Sequence, residues 1–249
     1  MALIEACRLA HDEDGPRLVW ADAVGGERGE LVVLQCDLAR ATLASEERVA
    51  RQRRADELIA AHGSEWAGDL GQFATRWELR RGFLEAAEID ARRFVYKTDA
   101  IFRAAPLLVS LTVTGLADEH DGPSLLHQLV TRPQFWQLSA LDLVDPEIGD
   151  AAVEELLASA ALPALRALGI AGVTPAAAHE LVASGELAEL ETLRLTGLTL
   201  GEDALIAIVR AARSLVTLEL PDLSGAAAAT LRPRLSREIC VATGPLRLL

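Results

Sequence analysis

The chain has 249 residues, of which 51% are apolar and 24% are charged, a composition typical of a globular protein rather than a disordered one. The sequence contains no run of about 18 apolar residues that would predict a transmembrane helix, and its first residues lack the pattern of a secretory signal. Its three cysteines are odd in number and form no close pair, so we expect no disulfide framework and a cytoplasmic location.

The charge is strongly acidic and unevenly spread. The formal net charge is −13, and between Asp118 and Asp203 there are 15 acidic residues and 3 basic ones. A field of this sign repels the phosphate backbone of nucleic acids and attracts basic surfaces. We therefore expect no nucleic-acid ligand and a protein partner with a basic surface, although solubility alone would account for the same charge.

The first 75 residues show the apolar spacing of amphipathic helices. Pro16 suits the first turn of a helix, where its missing N–H group costs no hydrogen bond, and Gly25-Gly26 is expected to end that helix. Gly63 is expected to end another. Helices are predicted over residues 2–10, 17–24, 27–43 and 45–61. Residues 1–75 are therefore expected to form an all-α module.

Three short motifs occur in order within this module. They are Pro16-Arg17-Leu18-Val19-Trp20-Ala21-Asp22, Glu27-Arg28-Gly29-Glu30-Leu31 and Leu34-Gln35-Cys36-Asp37-Leu38-Ala39. Together they resemble the bacterial repeat-companion domain, whose pattern reads D-x-P-R-L-x-Y-A-D-W-L and then R-G-E-x-x-x-L-Q-x-x-L. The resemblance implies a small helical module that precedes repeats, often leucine-rich ones, and it implies no established activity.

Acidic residues near the second helix could act as general acids or bases. The groups concerned are Asp12, Asp14 and Asp22, together with His11 and Arg17. The alternative is helix capping with an Asp–Arg pair, because Asp and Glu are common at helix starts. Cys7 and His11 lie four residues apart, but two ligands do not make a metal site. We predict no catalytic residues, no metal site and no cofactor.

From residue 84 onward, one apolar phrase of the form L-x-x-L-x-L recurs. A period of about 20–30 residues indicates a solenoid of repeated units. Within each phrase, the last two apolar residues flank a polar or small one, which is the alternation of a half-buried strand. The phrases begin at Leu84, Leu108, Leu138, Leu165, Leu190 and Leu215, which lie 24, 30, 27, 25 and 25 residues apart.

A stretch with helical apolar spacing follows each phrase. Helices are predicted over residues 123–131, 150–158, 175–182, 203–211 and 224–231, a last strand at 239–241 and a terminal cap at 246–249. One strand plus one helix per repeat resembles the leucine-rich repeat, and the longer spacings are similar to the ribonuclease-inhibitor type. The predicted fold class is α/β: the all-α module over 1–75, then a leucine-rich-repeat solenoid over 76–249 with about six repeats including caps.

The ribonuclease-inhibitor type usually has Asn three residues beyond the phrase. The residues at this position here are Leu116, Pro146, Val173, Leu198 and Leu223. Backbone groups that the Asn side chain would satisfy still need partners. We therefore expect water, hydroxyl groups or altered turns at these positions.

In such a solenoid a short parallel sheet lines the concave face and the helices lie on the convex face. Residues between the strand leucines are expected to point to the concave face, which carries no nucleophilic Ser–His–Asp or Cys set and no aromatic ladder for nucleic-acid bases. It suits an inserted peptide, helix or loop of another protein. The predicted partner-binding residues are Glu88, Asp90, Thr112, Thr114, Asp142, Arg194, Thr217 and Glu219.

The sequence therefore predicts a non-enzymatic scaffold that binds another protein through its repeats. A structural subunit of a larger assembly is the first alternative. An enzyme with an acidic site around Asp12, Asp14, Arg17 and Asp22 is the second. The sequence identifies neither the partner nor the oligomeric state.

Overall fold

A computed structural model describes residues 2–40, 44–117, 122–159, 165–196, 200–220 and 240–242. The chain is of the α/β class and divides into two compact units. Unit 1 comprises Met1–Ala87 and Asp99–Leu108, and unit 2 comprises Glu88–Thr98 and Val109–Leu249. None of the helices in the described residues is long and apolar enough to cross a membrane.

Unit 1 starts with helices. They are α1 (Ala2–Leu9), α2 (Asp14–Val24), α3 (Gly26–Ala39), α4 (Ser45–Ala67) and the short α5 (Leu70–Phe73). The predicted helices over residues 2–10 and 17–24 are confirmed, and the one over 27–43 is confirmed as far as residue 39, since 41–43 lie outside the described residues. Burial of Leu31, Val32 and Cys36 fixes the inward face of α3.

The prediction that Gly63 ends the fourth helix is wrong. α4 continues to Ala67, and Gly68 follows it with a φ of 48°. Gly63 is buried inside the helix, where a Cβ atom would come within 2.9 Å of the Trp77 ring. The glycine therefore provides room for an aromatic side chain, and the packing of the helix outweighs its weak helix propensity.

A β-hairpin follows α5; its second strand carries the phrase that begins at Leu84 and was predicted, whereas its first strand was not predicted from the sequence. Its strands are β1 (Ala74–Arg80) and β2 (Phe83–Asp90), and β2 crosses the division between the two units. Arg81 and Gly82 form the turn with φ values of 45° and 81°, the pair of positive angles that a type I′ hairpin requires.

The side chain of Gln35 on α3 holds this hairpin. Its Oε1 accepts a hydrogen bond of 2.7 Å from the backbone N–H group of Gly82. Its Nε2 donates a hydrogen bond of 2.9 Å to the backbone oxygen of Leu79. Both ends of one amide are thus used to fix a turn that lies far away in the sequence.

Unit 2 contains consecutive parallel strands. They are β3 (Ser110–Thr114), β4 (Ala140–Leu143), β5 (Ala167–Ala171), β6 (Thr192–Thr196), β7 (Thr217–Glu219) and β8 (Cys240–Ala242). Each pairs with the next, and equivalent positions of the repeated phrase are in register. The strands expected from residue 108 onward are confirmed in the described residues; Ile239, at the start of the last one, lies outside them.

Helices connect these strands. α6 (Ala91–Ala104) crosses the division between the units, and α7 (Gly122–Val130), α8 (Gly149–Ala158), α9 (Pro175–Ser184) and α10 (Glu202–Ala211) belong to unit 2. The last four helices pack in sequence, each against the next. Short 3₁₀ turns occupy Pro133–Gln137, Pro146–Ile148 and Glu186–Glu189. The helices predicted over 123–131, 150–158, 175–182 and 203–211 are confirmed, whereas residues 224–231 and 246–249 lie outside the described residues.

The core of unit 2 is built from the repeated phrase. Each apolar position of the phrase is almost fully buried, because the strand face that carries these residues packs inward. Those from Leu111 onward, all in unit 2, are Leu111, Val113, Leu138, Leu141, Leu143, Leu165, Leu168, Ile170, Leu190, Leu193, Leu195, Leu215, Leu218 and Leu220.

Carboxylates satisfy two of the turns that lack the expected asparagine. The Leu116 N–H group donates a hydrogen bond of 2.8 Å to Asp145 Oδ2. The Thr174 N–H group, next to Val173, donates one of 2.9 Å to Asp150 Oδ1. Each acid lies 24 to 29 residues from its donor, so one repeat completes the turn of another. The equivalent Leu198 and Leu223 lie outside the described residues.

Candidate functional site

One cross-strand row in unit 2 carries most of the charge of the strands. We call it the charged row: Thr112, Asp142, Gly169, Arg194 and Glu219, one residue from each of β3 to β7. The register makes each of these residues the direct neighbour of the next. Since they occupy equivalent positions on parallel strands, their side chains project from the same face.

Arg194 connects two acids of this row. Its Nη1 lies 2.5 Å from Asp142 Oδ2, and its Nε donates a hydrogen bond of 2.7 Å to Glu219 Oε2. Glu219 is on the adjacent strand, but Asp142 is two strands away. At about 4.8 Å per strand, that pairing spans roughly 10 Å of sheet.

Gly169 makes the longer pairing possible. It lies between Asp142 and Arg194 in the register, and a Cβ atom at this position would collide with Asp142 Oδ1 and Cγ. The Asp142 carboxylate therefore occupies the space above the glycine. Any other residue at 169 would force the carboxylate away from the guanidinium.

The network is buried at one end and more open at the other. Asp142 is 5% exposed and Arg194 is 3% exposed, whereas the Glu219 side chain is 27% exposed. Burial raises the pKa of Asp142 above its ordinary value, and the Arg194 guanidinium opposes this rise. The carboxylates of Glu219 and Glu88 raise the pKa of Asp142 further.

Thr112 begins the row and is also buried, with 4% of its surface exposed. Its Oγ1 atom has no hydrogen-bond partner among the described residues. It lies beside Asp142 in the register. The buried end of the row therefore holds two neighbouring polar side chains, Thr112 and Asp142. The small side chains of Ala140 and Ala167 flank the row on the same face.

The structure brings three of the predicted partner-binding residues into one network: Asp142, Arg194 and Glu219. Thr112, Asp142 and Arg194 are buried, although they were expected to point away from the core. The remaining five, including Glu219, are partly exposed: Glu88, Asp90, Thr114, Thr217 and Glu219. Asp90 accepts a hydrogen bond of 3.0 Å from the Arg93 N–H group, so its carboxylate caps the first turn of α6. Partner binding by these residues stays a prediction.

The acidic residues of the N-terminal module do not form one site with Arg17. Arg17 is buried against Glu85, Asp14 pairs with Arg40 at 3.2 Å, and Asp12 lies 3.2 Å from the His11 ring. Asp22 is exposed and lies two turns beyond Asp14 on α2. Sequence reasoning anticipated an Asp–Arg pair here but missed Glu85 as the partner of Arg17.

The two cysteines of unit 1 are buried. Burial raises the pKa of both thiols, to about 12 for Cys36, so both stay protonated and are poor nucleophiles. No group of three or more His, Cys, Asp or Glu side chains that could hold a metal ion is found in the part of the chain that the structure describes. Among these described residues, no third metal ligand accompanies Cys7 and His11.

Comparison of the chain with protein-family models, curated proteins and solved structures finds no match.

Proposed function

We propose that residues 76–249 form a leucine-rich-repeat solenoid of the ribonuclease-inhibitor type. Two observations support this proposal: the phrase recurs every 24 to 30 residues, and each copy from Leu108 onward contributes one parallel strand in register with the next. A chain with this periodicity buries its phrase leucines as one continuous core.

We also propose that residues 1–75 are a repeat-companion module. Several residues of the motifs that carry the resemblance have structural roles. Arg17 pairs with Glu85, Gln35 holds the hairpin, and Gly29 lies where a Cβ atom would collide with the Ala21 oxygen of α2. These roles favour a structural reading of the motifs over a catalytic one.

The function that the geometry supports best is a non-enzymatic scaffold that binds a partner protein with a basic surface. The observation that carries it is the charge of the strand face, where Asp142 and Glu219 share one guanidinium, that of Arg194, and Glu88 adds a third negative charge that acts on Asp142. The excess negative charge at the open end of the row attracts a Lys or Arg side chain, and it steers association more than it adds affinity.

Affinity capture from a lysate of the organism that encodes the chain tests this function. The face variant is Thr192→Arg/Thr217→Arg, which changes two half-buried residues that are neighbours in the register beside the charged row. The matched control is Glu154→Gln/Glu180→Gln, which makes the same change in net charge at exposed positions of α8 and α9. Circular dichroism first establishes that all three proteins are folded.

A partner that the wild type and the control retain, and that the face variant loses, is the expected result. Elution of that partner by salt supports a basic surface. A partner held equally by all three proteins contradicts binding through this face. If only further copies of the chain are captured, the assembly alternative replaces the scaffold.

A further inference from the structure

Unit 1 contains a cavity of about 160 Å³ that the proposed function does not use. Three aromatic side chains surround it: Trp20, Trp66 and Phe83. Trp20 and Phe83 pack with ring centroids 4.8 Å apart. Arg28 and apolar side chains, among them Ile4 and Leu107, complete the lining.

Arg28 is the charged residue of this cavity. Its guanidinium lies 4.7 Å from the centre of the Trp66 ring, a cation–π contact. Its Nη1 atom is buried and has no hydrogen-bond partner among the described residues. Burial lowers the pKa of Arg28 to about 10, which still leaves it charged at neutral pH.

The acids nearest to Arg28 in the sequence are engaged elsewhere. Glu27 lies 2.8 Å from the His62 ring, and both oxygens of Glu30 accept hydrogen bonds from Arg54 at 2.8 and 2.9 Å. No carboxylate of the described residues pairs with Arg28. A partly buried guanidinium with unused donors is costly, because desolvation removes water without supplying an anion.

We propose that this cavity binds a small carboxylate with an apolar or aromatic body, its carboxylate on Arg28 and its body against Trp20, Trp66 and Phe83. The planar guanidinium presents paired donors that match a carboxylate. An apolar cavity of about 150 Å³ accepts a benzene ring, so the volume found here suits a group of that size.

Neither a bare phosphate nor a neutral apolar molecule fits these features equally well. A phosphate would bring more negative charge than one guanidinium neutralises, and it would leave the aromatic wall without a partner. A neutral ring would leave the Arg28 donors unsatisfied. The carboxylate can come from a free aromatic acid or from the C-terminus of a peptide, and both carry the same chemistry.

Titration calorimetry with benzoate, benzamide and N-acetylphenylalanine tests the proposal. Benzamide has nearly the shape of benzoate without its charge, and N-acetylphenylalanine represents a peptide C-terminus. Trp20 and Trp66 lie in the cavity wall, so fluorescence gives a second readout. The variant is Arg28→Gln, and the control is Arg53→Gln, which removes an exposed arginine of α4 in the same unit.

We expect saturable benzoate binding with a dissociation constant of roughly 1 mM, which is typical for so small a ligand. Arg28→Gln should weaken it by about 10- to 100-fold, as expected for a lost hydrogen bond to a charged group, while Arg53→Gln leaves it unchanged. Benzamide should bind the wild type about as weakly as benzoate binds the Arg28 variant.

Tighter binding of N-acetylphenylalanine than of benzoate identifies a peptide C-terminus as the source, and the reverse order identifies a free acid. The proposal is overturned if neither carboxylate saturates the wild type at roughly 10 mM, if benzamide binds as well as benzoate, or if Arg28→Gln and Arg53→Gln behave alike. These outcomes leave the scaffold proposal for unit 2 untouched, because that proposal rests on different residues.

Discussion

Arg17 is a fully buried charge in the interior of unit 1. Its Nη1 lies 2.5 Å from Glu85 Oε1, and its Nη2 donates a hydrogen bond of 2.8 Å to the His11 backbone oxygen. The guanidinium also lies 5.3 Å from the centre of the Phe83 ring. Arg81 contributes a second, longer contact to Glu85 at 3.5 Å. The pair therefore links α2 to the hairpin.

Removing the acid of this pair should destabilise unit 1. We predict that Glu85→Gln lowers the free energy of unfolding by about 3–5 kcal/mol, because it leaves a buried charge without a counter-ion. Urea unfolding followed by tryptophan fluorescence measures this, since Trp20, Trp66 and Trp77 all belong to unit 1. Glu78→Gln, which removes an exposed acid paired with Arg80, is the matched control with an expected effect below about 1 kcal/mol. Equal losses in the two variants would refute a special role for the buried pair.

The ionisation of Asp142 makes the stability of the folded protein depend on pH, and the sign of this dependence follows from the direction of its pKa shift. Its pKa is raised in the folded protein above the ordinary value of 3.8, chiefly by burial. The folded state therefore holds its proton more tightly than the unfolded state does. The resulting stability is present below about pH 3.8 and is lost as the pH rises through the folded pKa.

We predict that wild-type stability falls relative to that of Asp142→Asn as the pH increases above 3.8. The slope of the difference is at most about 1.4 kcal/mol per pH unit, the value for one proton. Chemical unfolding of both proteins across a pH series measures it, and the subtraction removes groups common to both. Parallel curves, or a difference that grows in favour of the wild type with rising pH, would show that the environment of Asp142 is not as described.

At the scale of elements, the hairpin of unit 1 depends on a side chain from α3. We predict that Gln35→Ala destabilises unit 1 by about 1–3 kcal/mol, because the Gly82 N–H group and the Leu79 oxygen both lose a partner. Gln52→Ala is the control, since this exposed side chain bonds only to Asp56 on its own helix. Hydrogen exchange at Gly82 should accelerate in the Gln35 variant alone. Unchanged exchange there would mean that the amide does not hold the turn.

The strands of unit 2 are coupled through the space above Gly169. We predict that Gly169→Ala costs about 1–3 kcal/mol, a typical penalty for overpacking, because the new methyl group displaces the Asp142 carboxylate from Arg194. Gly201→Ala, at a position with no atom within 4 Å of the added Cβ, is the control. In an Asp142→Ala background the effect of Gly169→Ala should shrink, which a double-mutant cycle measures. Full additivity would contradict the coupling.

The apolar periodicity of the sequence predicted the helices and strands whose spacing it sets, and it did not predict the others. The strands and α7 to α10 follow from apolar spacing that each repeat carries in its own sequence. β1 was missed because its burial does not alternate and because Gln35, 44 residues before Leu79, holds it. Gly63 was wrongly predicted to end the helix, because this glycine makes room for the ring of Trp77 instead of ending the helix.

The candidate site was predictable in outline only. The column containing Asp142, Gly169, Arg194 and Glu219 follows from the repeat, and its opposite charges on either side of a glycine are the signal that could have revealed the network. Strand alternation alone instead assigns these side chains to an exposed face. Their burial depends on a pairing between residues 52 positions apart, which no local pattern encodes.

At the scale of the whole molecule, the excess of acidic residues favours a basic partner. Nearly all of this excess lies between Asp118 and Asp203, where 15 acidic and 3 basic residues give a formal charge of −12 out of −13 for the chain. Such a field raises the rate of encounter with a basic surface, and salt reduces this effect. In the proposed function, the charged row is the local contact, and the acidic segment 118–203 is the source of the long-range attraction.

The affinity of the captured partner for charge variants tests the central claim most directly. Titrations would compare the wild type with Glu88→Gln/Glu219→Gln, which neutralises the partly exposed acids of the strand face. Glu154→Gln/Glu180→Gln on the helices has the same change in net charge and is the control. We predict a loss of about 5- to 10-fold at low ionic strength for the strand-face variant, with a weaker dependence on salt, and little change for the control. Equal affinities and equal salt dependence for the two variants would contradict recognition through the charged row.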